Sequence, residues 1–221
     1  AATGVKSEDK KPIEQGDRAV SDVNYRPADQ DLGWTAKQSE DFAESLSHWS
    51  GFGYRSMRGY QLKKNKARPK KGTRDWEAKD AYENGLSADE KKDRRASVDR
   101  LESFISRAPK YKGQVHRGTF FTDESAAMQY LDDLSNSRPI NTLESWSADE
   151  AVSSRFARGS TAGGQTVPGT EIRVHVENRH GAPVQAFSDA KSEYEVLMPS
   201  RVRYRVLRSE VFTEANDEIA F

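Results

Sequence analysis

The chain of 221 residues contains no cysteine, which excludes a disulfide framework, a thiolate zinc site, an iron–sulfur cluster and a cysteine nucleophile at once. It also lacks a long apolar run. Nothing approaches the roughly 18–20 residues of a spanning helix, so membrane integration is not expected. An excess of charge of one sign is missing too, with 35 Lys and Arg against 35 Asp and Glu, and that balance excludes a generally polybasic coat for nucleic acid or a membrane surface. The first residues, Ala1-Ala2-Thr3-Gly4, lack an initiator methionine and a hydrophobic signal core, the look of a processed or excised chain. What is present suffices for one core: nine Phe, eight Tyr and four Trp. One domain, or one domain with a tail, is the expectation at this length.

Residues 1–34 are rich in Lys, Asp, Glu, Gln, Pro and Ser and read as a flexible or loosely docked arm ahead of a single domain over 35–221. Thr35 and Gln38 form a capping box before Phe42, Leu46 and Trp49, which predicts an amphipathic helix ending at Ser50-Gly51. A second short helix is expected over about 54–62. Residues 63–74 carry seven basic residues and no acid, interrupted by Pro69 and Gly72, and read as a loop. It is either a solvated insertion or a grip on an acidic partner or nucleic acid. Ser87 and Glu90 form a second capping box, followed by the stripe Val98, Leu101, Phe104, Ile105 and Ala108. Beyond residue 113 the period changes: 114–121, 170–176, 194–198 and 201–207 read as strands, and Thr122 is expected to cap a helix carrying Ala126, Tyr130, Leu131 and Leu134. Helices first and strands afterwards imply an α+β domain with a mostly antiparallel sheet.

Four histidines, His48, His116, His175 and His180, are scattered without metal-ligand spacing, and no metal site is expected. Glu193 and Glu195 flank Tyr194 ahead of Val196-Leu197-Met198. On an extended chain their side chains would leave one face. That is either a plain surface strand or a negative wall able to stabilise a developing cation such as a ribosyl oxocarbenium ion. Arg117-Gly118 lies within an apolar strand, where a guanidinium needs a partner and a phosphate would serve. Ser145-Trp146-Ser147 precedes Glu150, so Ser147 is either a helix cap or part of a site. The following helix bears Phe156-Ala157, and a Gly-rich stretch fills 159–166.

The order Arg-Gly on a strand, Ser-x-Ser before a short helix with Phe-Ala, then Glu-x-Glu entering a strand resembles the Arg-Ser-Glu class of mono-ADP-ribosyltransferases. That class includes bacterial toxins and effectors and phage host-modifying enzymes. Trp49-Ser50-Gly51-Phe52-Gly53-Tyr54 is similar to the family's small-Gly-x-Gly-Tyr segment, and the resemblance spans about residues 36–208. Three positions depart from the pattern: Trp146 at the middle of Ser-x-Ser, Arg58 where an Asn is frequent, and Arg158 as the nearest arginine after Phe156.

The resemblance implies two packed, mostly antiparallel sheets with N-terminal helices flanking an NAD cleft, NAD as substrate and no metal. It implies that Arg117 holds an NAD phosphate with Arg158 nearby, Gly118 binds the carboxamide, and Ser145 and Ser147 shape the site, Ser145 orienting Glu195. Phe156 would stack on nicotinamide and Tyr54 would cover the cleft. Glu195 would stabilise the oxocarbenium ion, and Glu193 would engage an acceptor arginine. Phe187 falls in the segment that recognises the target. The partner implied is a target protein in a recipient or host cytosol, with a nucleic-acid target left open, and the enzyme is expected to be a monomer delivered into that cell. An NAD glycohydrolase on the same scaffold and a non-catalytic adaptor are the alternatives.

Overall fold

The computed structural model describes residues 33–51, 53–157, 169–188, 191–213 and 219–220. The Gly-rich stretch, Arg158 and residues 1–32 of the arm lie outside them. Four helices come first: α1 (Ala36–Ser50), α2 (Tyr54–Lys64), α3 (Arg74–Asn84) and α4 (Ala88–Arg107). Strands then dominate: β1 (Gly113–Phe121), β2 (Glu144–Ser147), β3 (Thr170–Asn178), β4 (Ala182–Pro183), β5 (Glu195–Met198), β6 (Val206–Thr213) and β7 (Ile219–Ala220). Between them sit α5 (Glu124–Ser135) and α6 (Glu150–Ala157). The α+β class with antiparallel pairing is what the sequence implied.

Local chemistry sets the helix starts. Both capping boxes form: the hydroxyls of Thr35 and Ser87 accept from the backbone N–H of Gln38 and Glu90, whose side chains accept in return. Phe42, Leu46 and Trp49 of α1 and Val98, Leu101, Phe104 and Ile105 of α4 are buried together with Met57. Trp34, assigned to the arm, also packs on this cluster, with its ring 5.5 Å from Phe42 and 5.3 Å from Phe104.

Several boundaries differ from the sequence reading. The basic stretch is flanked by helix at both ends, because α2 runs to Lys64 and Thr73 caps α3. Helix α3 escaped the periodicity because its buried stripe is only Ala78 and Tyr82. Asp123, not Thr122, caps α5 by accepting from Ser125 N–H. The last long strand starts at Val206, and Val202 only bridges to Ile140.

The sheet order is β4-β5-β2-β1-β3-β6-β7 with every pairing antiparallel. Ladders β4-β5-β2 and β1-β3-β6-β7 meet at one residue pair, His116 with Ser147. Away from that junction the ladders share a core: Val115, Ile172, Val174 and Val176 from one side cluster with Trp146, Val196 and Met198 from the other. Adjacent residue Leu197 belongs instead to the helical cluster, so successive β5 side chains alternate between two cores.

One face of α2 fixes the approach to β2. Arg58, Gln61 and Asn65, spaced i, i+3, i+7, bond respectively to Thr142 Oγ1 at 2.7 Å, Leu143 N–H at 3.0 Å and the Asn141 carbonyl at 2.7 Å. Helix α2 in turn lies directly on α3 through Gly59, where a Cβ would collide with the Ala78 carbonyl oxygen and come within 2.8 Å of Tyr82 Cβ. Gly59→Ala should therefore cost about 1–3 kcal/mol, the scale of overpacking, read as a lowered denaturation midpoint with unchanged slope.

Candidate active site

A cleft of about 520 Å³ opens at the junction of the two ladders, lined by Trp49 and Tyr54 from the first helices, Arg117 and Gly118 from β1, and Ser145 and Ser147 from β2. Phe156 of α6 and both Glu193 and Glu195 complete it. Its volume lies within the range of about 300–1,000 Å³ usual for small-molecule sites. Residues up to 146 positions apart in the sequence thus share one wall, as the motif order required.

Glu195 is buried at the first position of β5, paired in register with Ser147. Burial raises its pKa, a hydrogen bond from the Ser145 hydroxyl works against that, and the negative charge of Glu193 raises it further. The Ser145 hydroxyl also accepts a hydrogen bond of 2.9 Å from Trp49 Nε1. Glu193 is not on the strand: it closes a 3-10 turn, and Tyr194 follows with φ +45°. The extended Glu-x-Glu geometry fails there because a left-handed residue separates the two carboxylates. They reach the same cleft by a turn rather than by strand alternation.

Arg117 is 13% exposed. It donates to the Ser145 carbonyl at 2.6 Å and stands 3.7 Å from Glu144, a carboxylate 2% exposed. Burial would lower its pKa, but Glu144, Tyr130 and Tyr54 together leave it raised. Its Nε is buried without a hydrogen-bond partner among the described residues, a donor that an incoming acceptor could satisfy. Sequence reasoning missed Glu144, which also accepts from Trp146 Nε1 at 3.2 Å.

Tyr54 stands at the start of α2, held edge-on by Trp49 with ring centroids 4.8 Å apart. The Gly53 turn permits this placement, since a Cβ there would lie 2.7 Å from the His48 carbonyl oxygen. Arg58 donates to the Tyr54 hydroxyl at 3.3 Å and pairs with Asp75 at 2.7 Å, so the departure at this position is a positioning cation. Arg74, read with the basic loop, stacks 5.3 Å from the Tyr54 ring and lines the cleft. Burial alone would raise the Tyr54 pKa, but Arg58, Arg74 and Arg117 together leave it lowered. Arg74 and Arg117 give this side of the cleft cations that an anionic ligand can meet.

Gly118 lets α6 lie directly on β1: a Cβ would collide with the Ser153 carbonyl oxygen and approach Ala157 N to 2.6 Å. Phe156 on that helix is 57% exposed and free to meet a ring. Ser147 does not form a capping box with Glu150. Its hydroxyl donates to the Glu193 carbonyl at 2.7 Å and accepts from Asp149 N–H at 2.9 Å, while Asp149 accepts from Ala151 N–H. Phe187 packs on Trp34, Phe42 and Phe104, with centroids 5.9, 4.9 and 5.8 Å away. Its ring is partly buried against the helical core. Arg158 lies outside the described residues.

Strand register also unites His116 with His175, a pairing invisible in sequence spacing. Their Nδ1 atoms are 2.6 Å apart, and Arg208 donates to His175 Nε2 at 3.2 Å. A guanidinium has no acceptor, so His175 carries its proton on Nδ1 and donates to His116. Glu150 joins the two histidines in a group with metal-ligand spacing, but its carboxylate bonds Arg208 at 2.6 Å.

Burial, then His175, lowers the His116 pKa to about 4, and burial with Arg208 lowers that of His175. Unfolded histidine titrates near about 6.5, so between the two values the unfolded chain binds more protons. Stability should fall as pH drops from about 6.5 towards about 4. Thermal midpoints measured across that window should show a slope that shrinks in His175→Asn.

No family model and no curated protein matches the chain. Among solved structures it is similar to ADP-ribosyltransferase Vis in complex with the M6 inhibitor, with TM-score 0.49, 19% identity and coverage of 84% of this chain and 71% of that one. It is similar also to the Vis toxin, an ADP-ribosyltransferase from Vibrio splendidus, at TM-score 0.46, 20% identity and the same coverage. ADP-ribosyltransferase HopU1 of Pseudomonas syringae pv. tomato DC3000 gives TM-score 0.36 and 14% identity over 83% of this chain and 91% of that one. These are likenesses of backbone course.

Proposed function

We propose that the protein is an NAD-dependent mono-ADP-ribosyltransferase that transfers ADP-ribose to an arginine of a target macromolecule and releases nicotinamide. One observation carries the reading: a buried carboxylate, Glu195, receives a serine hydroxyl hydrogen bond in a cleft that also presents Arg117, an exposed aromatic ring and a second carboxylate. The residues fit the dinucleotide. Arg117, with its free Nε, holds a phosphate, assisted by Arg74 at the rim. The backbone of Gly118 meets the carboxamide, and Phe156 stacks on the nicotinamide ring.

In this reading the bond between the nicotinamide nitrogen and the ribose anomeric carbon breaks, its electron pair leaving with nicotinamide. Glu195 stabilises the positive charge left on the ribose. A guanidinium nitrogen of the acceptor, paired with Glu193, then attacks the anomeric carbon and loses a proton. The target would be a protein in a recipient or host cell cytosol, reached as a toxin, effector or phage enzyme.

Incubation with labelled NAD, with and without agmatine as a free guanidinium, tests this directly. Transfer of label to agmatine is expected. Consumption of NAD without transfer would make the protein a glycohydrolase, and no consumption would overturn the reading. Glu195→Gln should reduce both transfer and hydrolysis at least about 10²–10³-fold. Glu193→Gln should abolish transfer while keeping much of the hydrolysis, because it removes acceptor positioning alone. Glu195 acts as the anion and its pKa is raised. Activity should therefore be lost on acidification at a pH above the ordinary carboxylate range, and a kcat/KM profile reads that limb.

A further inference from the structure

The indole of Trp49 is 1% exposed and spends its one polar atom on Ser145, across 96 residues of sequence. An indole N–H can only donate, so the Ser145 hydroxyl oxygen must accept. Having accepted from Trp49, that hydroxyl directs its own proton elsewhere, and Glu195 is its partner. Without the indole the hydroxyl could equally turn its proton away from the carboxylate. We propose that Trp49 is a positioning residue that fixes the direction of the Ser145 hydroxyl and thereby holds Glu195 in its ionised, catalytically competent form; the catalytic part of this rests on the function proposed above.

The geometry separates this role from packing. Trp49 also touches Tyr54 edge-on, a contact that any aromatic ring of similar size maintains. Only the N–H reaches Ser145. Phenylalanine removes the donor and keeps a ring. A benzothienyl-alanine placed at position 49 by codon suppression keeps the full bicyclic shape and removes only the donor, which covers the case in which Trp49→Phe does not fold.

The test follows Glu195 itself. In protein labelled with ¹³C-glutamate, the Glu195 carboxyl resonance, assigned by its disappearance in Glu195→Gln, is titrated in the native protein and in both position-49 variants. A titration moved to higher pH in the folded variants is expected, since the carboxylate loses an assured donor. NAD turnover at neutral pH should fall about tenfold, the scale of one hydrogen bond to a charged group. The Michaelis constant for NAD should hold within about twofold, and the acid limb of kcat/KM should move up with the titration. In a Ser145→Ala background the change at Trp49 should add nothing, because the intermediary is gone. An unmoved Glu195 titration, or a Trp49 effect undiminished in Ser145→Ala, overturns the proposal. A native protein that leaves NAD intact would instead overturn the functional reading, and the titration would still decide whether Trp49 orients Ser145.

Discussion

A guanidinium held inside a protein must be given a counter-charge, and the way Arg117 is given one organises the cleft. The arginine stands on β1, and its partners, Glu144 and the Ser145 carbonyl, stand on β2 of the other ladder. Among the described residues, one strand pairing, His116 with Ser147, joins those ladders. The Arg117 contacts therefore add a second tie beside that junction, and one strand turn carries both the tie and the hydroxyl that faces Glu195. Losing Glu144 would leave a buried cation unpaired and would loosen the strand that carries Ser145.

The helical layer serves the same strand. Arg58, Gln61 and Asn65 reach from one face of α2 to residues 141–143, so the segment entering β2 is stitched down before the site begins. The same Arg58 holds the Tyr54 hydroxyl. A substitution read from the sequence as a departure from a family pattern is, in the fold, a link between the cleft cover and the strand beneath it.

Legibility in the sequence followed the range of the forces involved. Capping boxes at Thr35 and Ser87 could be read because every group concerned lies within four residues. The apolar stripes of α1 and α4 were equally plain, whereas α3 buries too narrow a stripe to register. The resemblance brought Tyr54, Arg117, Ser145, Phe156, Glu193 and Glu195 to one list, and the fold brings them to one cleft. What could not be read depends on register and turn geometry. The His116 and His175 pair arises from strands 59 residues apart, and the left-handed Tyr194 breaks an alternation that the residue types alone suggested. Glu144 and Arg74 carry no motif, and only their neighbours in space give them meaning.

Gly118 has a mechanical consequence. Where most helices ride on a sheet through interleaved side chains, which can repack to absorb a small shift, α6 rests backbone against backbone on β1 at this point. A seat of that kind has almost no compliance. Phe156 lies between the two contact points, Ser153 and Ala157, so the position of its ring follows that of β1 much as a follower tracks a cam.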